Sequence, residues 1–447
     1  MRRLLSVFMV AGVVAAGTPA VAASADAMAH AHYARHGVRS VAAGVHATLT
    51  RAGNLSAPPR SWVQTQNLRA PDAARHSDFG VTAALSADGR FAIVGALGVN
   101  LSQGAAYVYV RQRNGWRLQQ DLRAADGAAS DEFGSAVALS ANGRVAVIGA
   151  ADQNARIGAT HTGATYVFVR TGRLWHQQQK LPTPAKAWSF GNAVALSGTG
   201  DVLLVGSWFA NGGASNGTGA AYLFIRKQGR WRPQQELDAS DAAPSDGFGT
   251  SVALSTDGRT AVVGTPYPNG GTGATYLFSQ HGSGWRQDQK LTVPSATANR
   301  FGQSLGMSAN GRVVLIGAPG ELGAAYLFAR NGSTWKQTQT LQPSARLGQP
   351  FMFGYSVALS GRGHIALIGA IIAPGLASGA AYVFTASHGR WQQTQTMKPA
   401  PAGPGRNNFG GGVALATRGH IALIGAPLTN NDTGAAYVFT NPRPPQW

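Results

Sequence analysis

Apolar and polar positions alternate along this chain in short blocks, and the blocks recur with a long period. Residues 248–291, "FGTSVALSTDGRTAVVGTPYPNGGTGATYLFSQHGSGWRQDQKL", contain one full cycle. In "SVALS", Val252 and Leu254 alternate with small residues, which predicts a strand. "TAVVG" is apolar without alternation, as a strand covered on both faces is. "GATYLF" predicts a third strand, and a Gly-containing turn leads to a fourth that starts at a Trp. In the next copy, Trp335, Gln337, Gln339 and Leu341 are expected on one face of that fourth strand, with Lys336, Thr338 and Thr340 on the other. Between the first two strands stands an Asp-Gly or Asn-Gly pair (Asp88-Gly89, Asn142-Gly143, Asp257-Gly258, Asn310-Gly311), which predicts a hairpin turn with both residues at positive φ.

The dipeptide Phe-Gly opens each cycle, at Phe79, Phe133, Phe190, Phe248, Phe301, Phe353 and Phe409, spaced by 54, 57, 58, 53, 52 and 56 residues. Four antiparallel strands per copy in seven copies predict an all-β, seven-bladed β-propeller. A two-sheet sandwich has no need of seven equivalent units, and a solenoid needs caps and is usually built from shorter repeats. The last copy reaches its third strand at 434–440 and then ends in "NPRPPQW", lacking a fourth. "SWVQTQNL" (61–68) matches the missing piece, because Trp62 precedes Phe79 by 17 residues, as Trp116 precedes Phe133 and Trp231 precedes Phe248. The N-terminal strand should therefore complete the last blade and close the ring, removing its free edges. One Trp per blade (Trp62, Trp116, Trp175, Trp231, Trp285, Trp335, Trp391) agrees with the count.

Phe-Gly at the head of each copy, followed after the second strand by "GAP" (317–319, 425–427) or by "GAL", "GAA", "GSW", "GTP" or "GAI", resembles the FG-GAP repeat over residues 61–440. The resemblance implies the propeller of integrin α-subunits and of many exported bacterial proteins, a fold used in adhesion, carbohydrate binding and scaffolding. It also brings calcium into consideration as a cofactor. Family calcium loops read D-x-D-x-D-G, whereas the corresponding turns here ("SADGR", "SANGR", "SGTGD", "STDGR", "SANGR", "SGRGH", "ATRGH") each hold at most one carboxylate. That site does not carry over, and no metal site is expected. The aspartates of "DGAASD" (126–131) and "DASDAAPSD" (238–246) are expected to cap turns, with ion binding as the alternative.

Composition narrows the chemistry. The chain has no cysteine, which excludes disulfides, thiolate zinc and cysteine nucleophiles. Residues 1–22 have the basic, apolar and small-residue parts of a signal peptide, followed by an Ala/Gly/His-rich linker over 23–60, the propeller over 61–440 and a tail over 441–447. The expected location is extracellular, cell-surface or periplasmic, and a monomer is expected. "GQSLG" (302–306) fits a nucleophile elbow, but Ser304 occupies a first-strand position held elsewhere by Thr82, Ala136, Ala193, Ser251, Ser356 and Gly412. His364 and His420 both follow Arg-Gly turns at equivalent positions, which points to repeat inheritance. No catalytic residue is expected.

Antiparallel connectivity puts the short turns on one face of the disc and the long connections on the other. The long ones (151–162, 207–218, 346–352) are irregular, and Trp188, Trp208, Phe209, Tyr267 and Phe351 fall outside the repeat consensus. Aromatics there suit sugar stacking or a protein hot spot, the alternative being packing among loops. The short turns carry Arg90, Arg144, Arg259, Arg312, Arg362 and Arg418, with Arg111, Arg113, Arg226, Lys227, Arg230 and Arg232 beside them. In a chain of formal charge +19 this face suits an anionic polysaccharide or membrane surface, and nucleic acid less, since stacking aromatics are lacking. The expected function is non-catalytic recognition of a protein or glycan by the long-loop face. The alternatives are a glycan-active enzyme with carboxylates in the channel, or a structural ring held to envelope polyanions.

Overall fold

The structure is a computed structural model that describes residues 61–72, 74–152, 162–211, 217–267, 272–294, 300–320, 323–344, 351–372, 378–400 and 407–442. The signal-peptide and linker assignments, the tail beyond residue 442 and most of the three longest loops lie outside these residues.

The chain opens with β1 (Val63–Leu68). Blade 1 is β2 (Thr82–Leu85), β3 (Phe91–Ala96), β4 (Ala105–Gln112) and β5 (Gly115–Leu122). Blade 2 is β6 (Phe133–Leu139), β7 (Val145–Ala150), β8 (Ala164–Thr171) and β9 (Leu174–Lys180). Blade 3 is β10 (Val194–Leu196), β11 (Val202–Ser207), β12 (Ala220–Lys227) and β13 (Arg230–Leu237). Blade 4 is β14 (Ser251–Leu254), β15 (Thr260–Thr265), β16 (Ala274–His281) and β17 (Gly284–Leu291). Blade 5 is β18 (Ser304–Met307), β19 (Val313–Ala318), β20 (Ala324–Asn331) and β21 (Thr334–Leu341). Blade 6 is β22 (Phe351–Leu359), β23 (Ile365–Ile372), β24 (Ala380–Ser387) and β25 (Arg390–Met397). Blade 7 is β26 (Val413–Leu415), β27 (Ile421–Ala426) and β28 (Ala435–Thr440), completed by β1 in the order β1-β28-β27-β26. The ring closes as the spacing of Trp62 predicts.

The repeated glycines make the contact between blades. The Phe of each Phe-Gly is fully buried and packs against its own blade's Tyr, Phe79 meeting Tyr107 edge-on at 5.5 Å and Phe248 meeting Tyr276 tilted at 5.5 Å. The following Gly has φ near +90°, for example +99° at Gly80 and +89° at Gly249, a region closed to side chains. Its carbonyl oxygen touches the strand-two Gly of the preceding blade. A Cβ on Gly149 would lie 1.9 Å from the Gly191 oxygen, and one on Gly425 would lie 1.8 Å from that of Gly80. The two halves of the motif are thus the two sides of one close backbone contact.

Two further rings of bonds run around the disc. On the short-turn face, backbone N–H groups donate in sequence from Ala87 to Ala141, Gly198, Thr256, Ala309, Gly361 and Thr417, and Thr417 donates back to Ala87, at 2.8–3.1 Å. At the rim, the Gln four residues after each Trp grips the backbone of the next blade's Trp. Gln120 donates Nε2–H to the Trp175 oxygen and accepts the Trp175 N–H, both at 2.9 Å. Gln66 holds Trp116 in the same way, and Gln395 holds Trp62 across the closure.

Two local expectations are corrected. The Trp and Leu of the fourth strand do not share a face, because a bulge interrupts β21. Gln337 pairs with Phe328 and Gln339 with Leu327, leaving Thr338 as the extra residue. Trp335 consequently packs into the core shared with blade 4, and Leu341 into the core shared with blade 6. Each outer strand is anchored to both neighbours. The Asp-Gly and Asn-Gly turns also differ from expectation, since only the glycines (Gly89 φ +67°, Gly143 φ +60°) are at positive φ. The Ser86 N–H bonds to the Phe91 oxygen, so the loop spans four residues, and Ser86 Oγ accepts the N–H groups of Arg90 and Phe91. The buried serine supplies the order that a two-residue turn would have drawn from its backbone alone.

Candidate functional site

The first strands surround a channel of about 230 Å³. The residue after each Phe-Gly faces it: Val81, Ser135, Asn192, Thr250, Gln303, Tyr355 and Gly411. These positions lie at the start of the inner strands, so they ring the mouth on the long-loop face. No Asp, Glu, Lys, Arg or His is among the described residues lining the channel. Among the described residues, therefore, its wall shows no carboxylate pair. Ser304 lines the channel too, but its hydroxyl donates to the Gly354 oxygen of the next blade at 2.8 Å, as Ser356 donates to Gly410. Its role is to join blades.

The sequence-predicted aromatics fall into two groups. On blade 3, Trp188 is half-buried and its backbone bonds to Ser207, while Trp208 is 7% exposed and donates its backbone N–H to Asn192 Oδ1. Phe209 lies 3.9 Å from Trp208, ring centroid to ring centroid. Packing among loops accounts for most of this group's surface. Phe351 contributes backbone pairing to Ile372 at the start of β22, and its side chain lies outside the described features.

Tyr267 belongs to the second group. Its N–H donates to the Asp246 oxygen, its ring covers Gly247, and its buried Oη has no hydrogen-bond partner among the described residues. Burial pushes the phenol up to about 12, with Arg300 pulling the other way. Burial also holds the Tyr355 phenol well above its ordinary value, with Tyr267 adding and Arg300 opposing. Tyr355 lines the channel, and Tyr267 lies over Gly247 beside the channel-lining Thr250. Gln303 lines the channel on blade 5, is 5% exposed, and its Oε1 has no partner among the described residues. Sequence reading missed Gln303 and Tyr355 because they directly follow Phe-Gly, inside the consensus. The available signal was variability: the slot after Phe-Gly reads Val, Ser, Asn, Thr, Gln, Tyr, Gly in an otherwise uniform repeat.

On blade 2 the residue before Phe-Gly is Glu132, 5% exposed and at φ +55°. Burial, then Asp152 and Asp78, raise its carboxyl well above the usual range. The folded state holds this proton where the unfolded chain has released it, so the stability it contributes is present at low pH and lost as pH rises through that window. Glu132→Gln is expected to stabilise the protein by about 1–3 kcal/mol at about pH 8 and to flatten the fall in melting temperature from about pH 5 upward. Thermal melts across that range check it, and an unchanged slope counts against a buried, raised carboxyl.

The clustered aspartates are committed to the fold. Asp126 accepts from Tyr166 and pairs with Lys180, Asp241 does the same with Tyr276 and Lys290, and Asp131 and Asp246 accept N–H groups of their own turns. Among the described residues no group of three or more His, Asp or Glu side chains is arranged to hold a metal.

The opposite face is basic at close quarters. The Arg170 guanidinium lies 4.4 Å from the Phe91 ring centroid and that of Arg90 lies 5.6 Å from it. Burial, Arg144 and Arg90 together lower the Arg170 pKa, and burial, Arg111 and Arg418 lower that of His420. Arg111 and Arg113 are exposed beside this cluster on blade 1; on blade 3, Lys227, Arg230 and Arg232 are exposed and Arg226 is half-buried.

A family model described as FG-GAP repeat matches residues 62–109, 116–168, 175–224, 231–278 and 335–384, each match running from an outer-strand Trp to the third strand of the following copy. The copy from Trp285, which carries Arg300 and Gln303, lies between two matched ranges. No curated protein shows a significant match.

Proposed function

The chain belongs to the FG-GAP repeat family, and from that premise we propose that it is an exported, non-catalytic, monomeric propeller that recognises a protein or glycan through its long-loop face. The observation that supports this most is the channel mouth, where Gln303 and Tyr355 line the wall and Tyr267 lies beside Thr250. Buried polar atoms without a partner among the described residues, beside aromatic rings on a rigid ring of strands, are what a recognition site requires. Recognition of this kind needs no metal or cofactor.

A second reading has its own support. The crowding of Arg90, Arg144 and Arg170, deep enough to lower a guanidinium pKa, favours a polyanion at the short-turn face. One experiment separates the two: a glycan and surface-protein array probed with the purified protein at low and at high salt. Long-loop recognition is expected to survive high salt and to weaken when Tyr267 or Tyr355 is changed to Ala. Polyanion binding is expected to fall by orders of magnitude between about 50 and 200 mM salt, because each neutralised anion releases counterions. Hits that are all salt-labile and indifferent to both tyrosines would sink the long-loop reading.

A further inference from the structure

We propose that the junction of blades 1 and 2 on the short-turn face is a binding site for a terminal phosphate group, held by the guanidiniums of Arg90, Arg144 and Arg170. This rests on the basic-face reading and gives that face a discrete site and a ligand class.

The repeat brings the three cations together. The turn of blade 2 lies over the second strand of blade 1, so that a Cβ on Gly143 would stand 2.5 Å from the Phe91 ring. Arg144 follows Gly143 and Arg90 precedes Phe91, so both arginines start from this contact. The Arg170 N–H donates to the Arg144 oxygen at 2.8 Å. The Arg170 guanidinium then reaches over the Phe91 ring, 4.4 Å from its centroid, with that of Arg90 at 5.6 Å.

Arg170 is ordered by the protein itself. Its Nε–H donates to the Gly143 oxygen at 3.1 Å and its Nη1 to the Gly172 oxygen at 2.6 Å. The Nη2 edge is left for an anion, and a side chain already fixed loses little freedom on binding. Phe91 makes this junction different from the others. Its position is held elsewhere by Val145, Val202, Thr260, Val313, Ile365 and Ile421. Blades 4 and 5 repeat the arginines as Arg259, Arg312 and Arg330, and the Arg330 N–H again donates to the Arg312 oxygen. Without an aromatic ring there, Arg330 Nε donates to Gly332 of its own hairpin rather than to the turn glycine.

Charge and oxygen count point to the ligand. Among the described residues no carboxylate pairs with Arg90, Arg144 or Arg170. Asp88 Oδ1 accepts the Ser86 hydroxyl and the Arg90 backbone N–H within its own turn. Burial, then Arg144 and Arg90, lower the Arg170 pKa, and a bound anion relieves that repulsion. A terminal phosphate offers three free oxygens and about −1.5 to −2 charge at neutral pH, enough to face three guanidinium forks. A phosphodiester or a carboxylate offers two oxygens and a single charge.

The test uses the purified full chain, titrated calorimetrically with glucose 6-phosphate, glucose 6-sulfate and dimethyl phosphate, with thermal melts to confirm that each variant is folded. Glucose 6-phosphate is expected to bind saturably and about tenfold more tightly than the other two. Arg144→Gln and Arg170→Gln should each weaken it about tenfold. Arg170→Lys should do the same, because an ammonium keeps the charge but lacks the planar fork. Arg330→Gln, the counterpart on blade 5, should leave binding unchanged. Arg144 is exposed on a turn, so its variant decides the matter should Arg170→Gln fail to fold. Cosedimentation with phosphatidylcholine vesicles carrying phosphatidic acid or phosphatidylglycerol identifies the source of the phosphate. A preference for phosphatidic acid that Arg144→Gln removes assigns it to a lipid headgroup, and binding of glucose 6-phosphate without that preference assigns it to a phosphorylated sugar. The proposal is overturned if glucose 6-phosphate binds no better than dimethyl phosphate or glucose 6-sulfate, if Arg170→Lys binds like the parent, if Arg330→Gln matches Arg144→Gln, or if glucose 6-phosphate does not saturate. Salt-labile array binding that ignores Arg144→Gln would leave the basic-face reading standing and remove only this site.

Discussion

A chain lacking residues 61–68 is expected to lose its single cooperative melting transition and to associate through the exposed edge of β28. In the intact protein β1 pairs with β28 from Val63 opposite Thr440 to Leu68 opposite Ala436. Trp62 fills the core between blades 6 and 7, and Leu68 the core between blades 7 and 1. The deletion also breaks two of the rim grips, Gln395 to Trp62 and Gln66 to Trp116. Truncating a buried Trp costs about 3–5 kcal/mol and a buried Leu about 2–5 kcal/mol. Together these approach the ~5–15 kcal/mol by which a whole domain is stable. A free edge then adds the hazard of intermolecular pairing. Circular dichroism melts and light scattering test this together, and a monomeric deletion mutant melting with its parent would overturn the closure. Trp62→Ala alone is expected to cost about 3–5 kcal/mol.

Gly149→Ala is expected to destabilise by about 3 kcal/mol or more, although it adds one methyl group. The new Cβ would stand 1.9 Å from the Gly191 oxygen and 2.9 Å from its carbonyl carbon. Both belong to backbone fixed by its own blade, so blades 2 and 3 must part for the methyl to fit. Gly172→Ala is the control. It sits at φ +61° with nothing within 4 Å of a Cβ, and should cost only about 1 kcal/mol of backbone strain. Urea denaturation of both variants gives the comparison. Equal losses would mean that the inter-blade glycine contact is not what limits the spacing of the ring.

The features legible in the sequence were those carried by repetition. Phe-Gly, the strand-two glycine and the Trp-x-x-x-Gln spacing recur because each blade makes the same contacts with the next, so fold, blade count and ring closure could all be read from spacing. The outer-strand bulge was not legible. Trp335, Gln337, Gln339 and Leu341 keep a period of two that a straight strand would also keep, and only the pairing with β20 reveals that Thr338 is extra. The turn geometry was missed for a similar reason, since Ser86 acts on it from outside the Asp-Gly pair.

The candidate site was less legible than the fold. Tyr267 stood out in a loop, but Trp208 and Phe209, equally conspicuous in sequence, spend most of their surface on each other and on the protein. Gln303 and Tyr355 were hidden inside the repeat consensus. Periodicity determined by itself that seven like units form a closed ring, because local strand patterns and glycine spacing suffice to specify contacts between neighbours. Which odd residues meet at the channel mouth was decided only in three dimensions. Closure brings the blades around one axis, so that Thr250, Gln303 and Tyr355, 53 and 52 positions apart in the chain, line one channel.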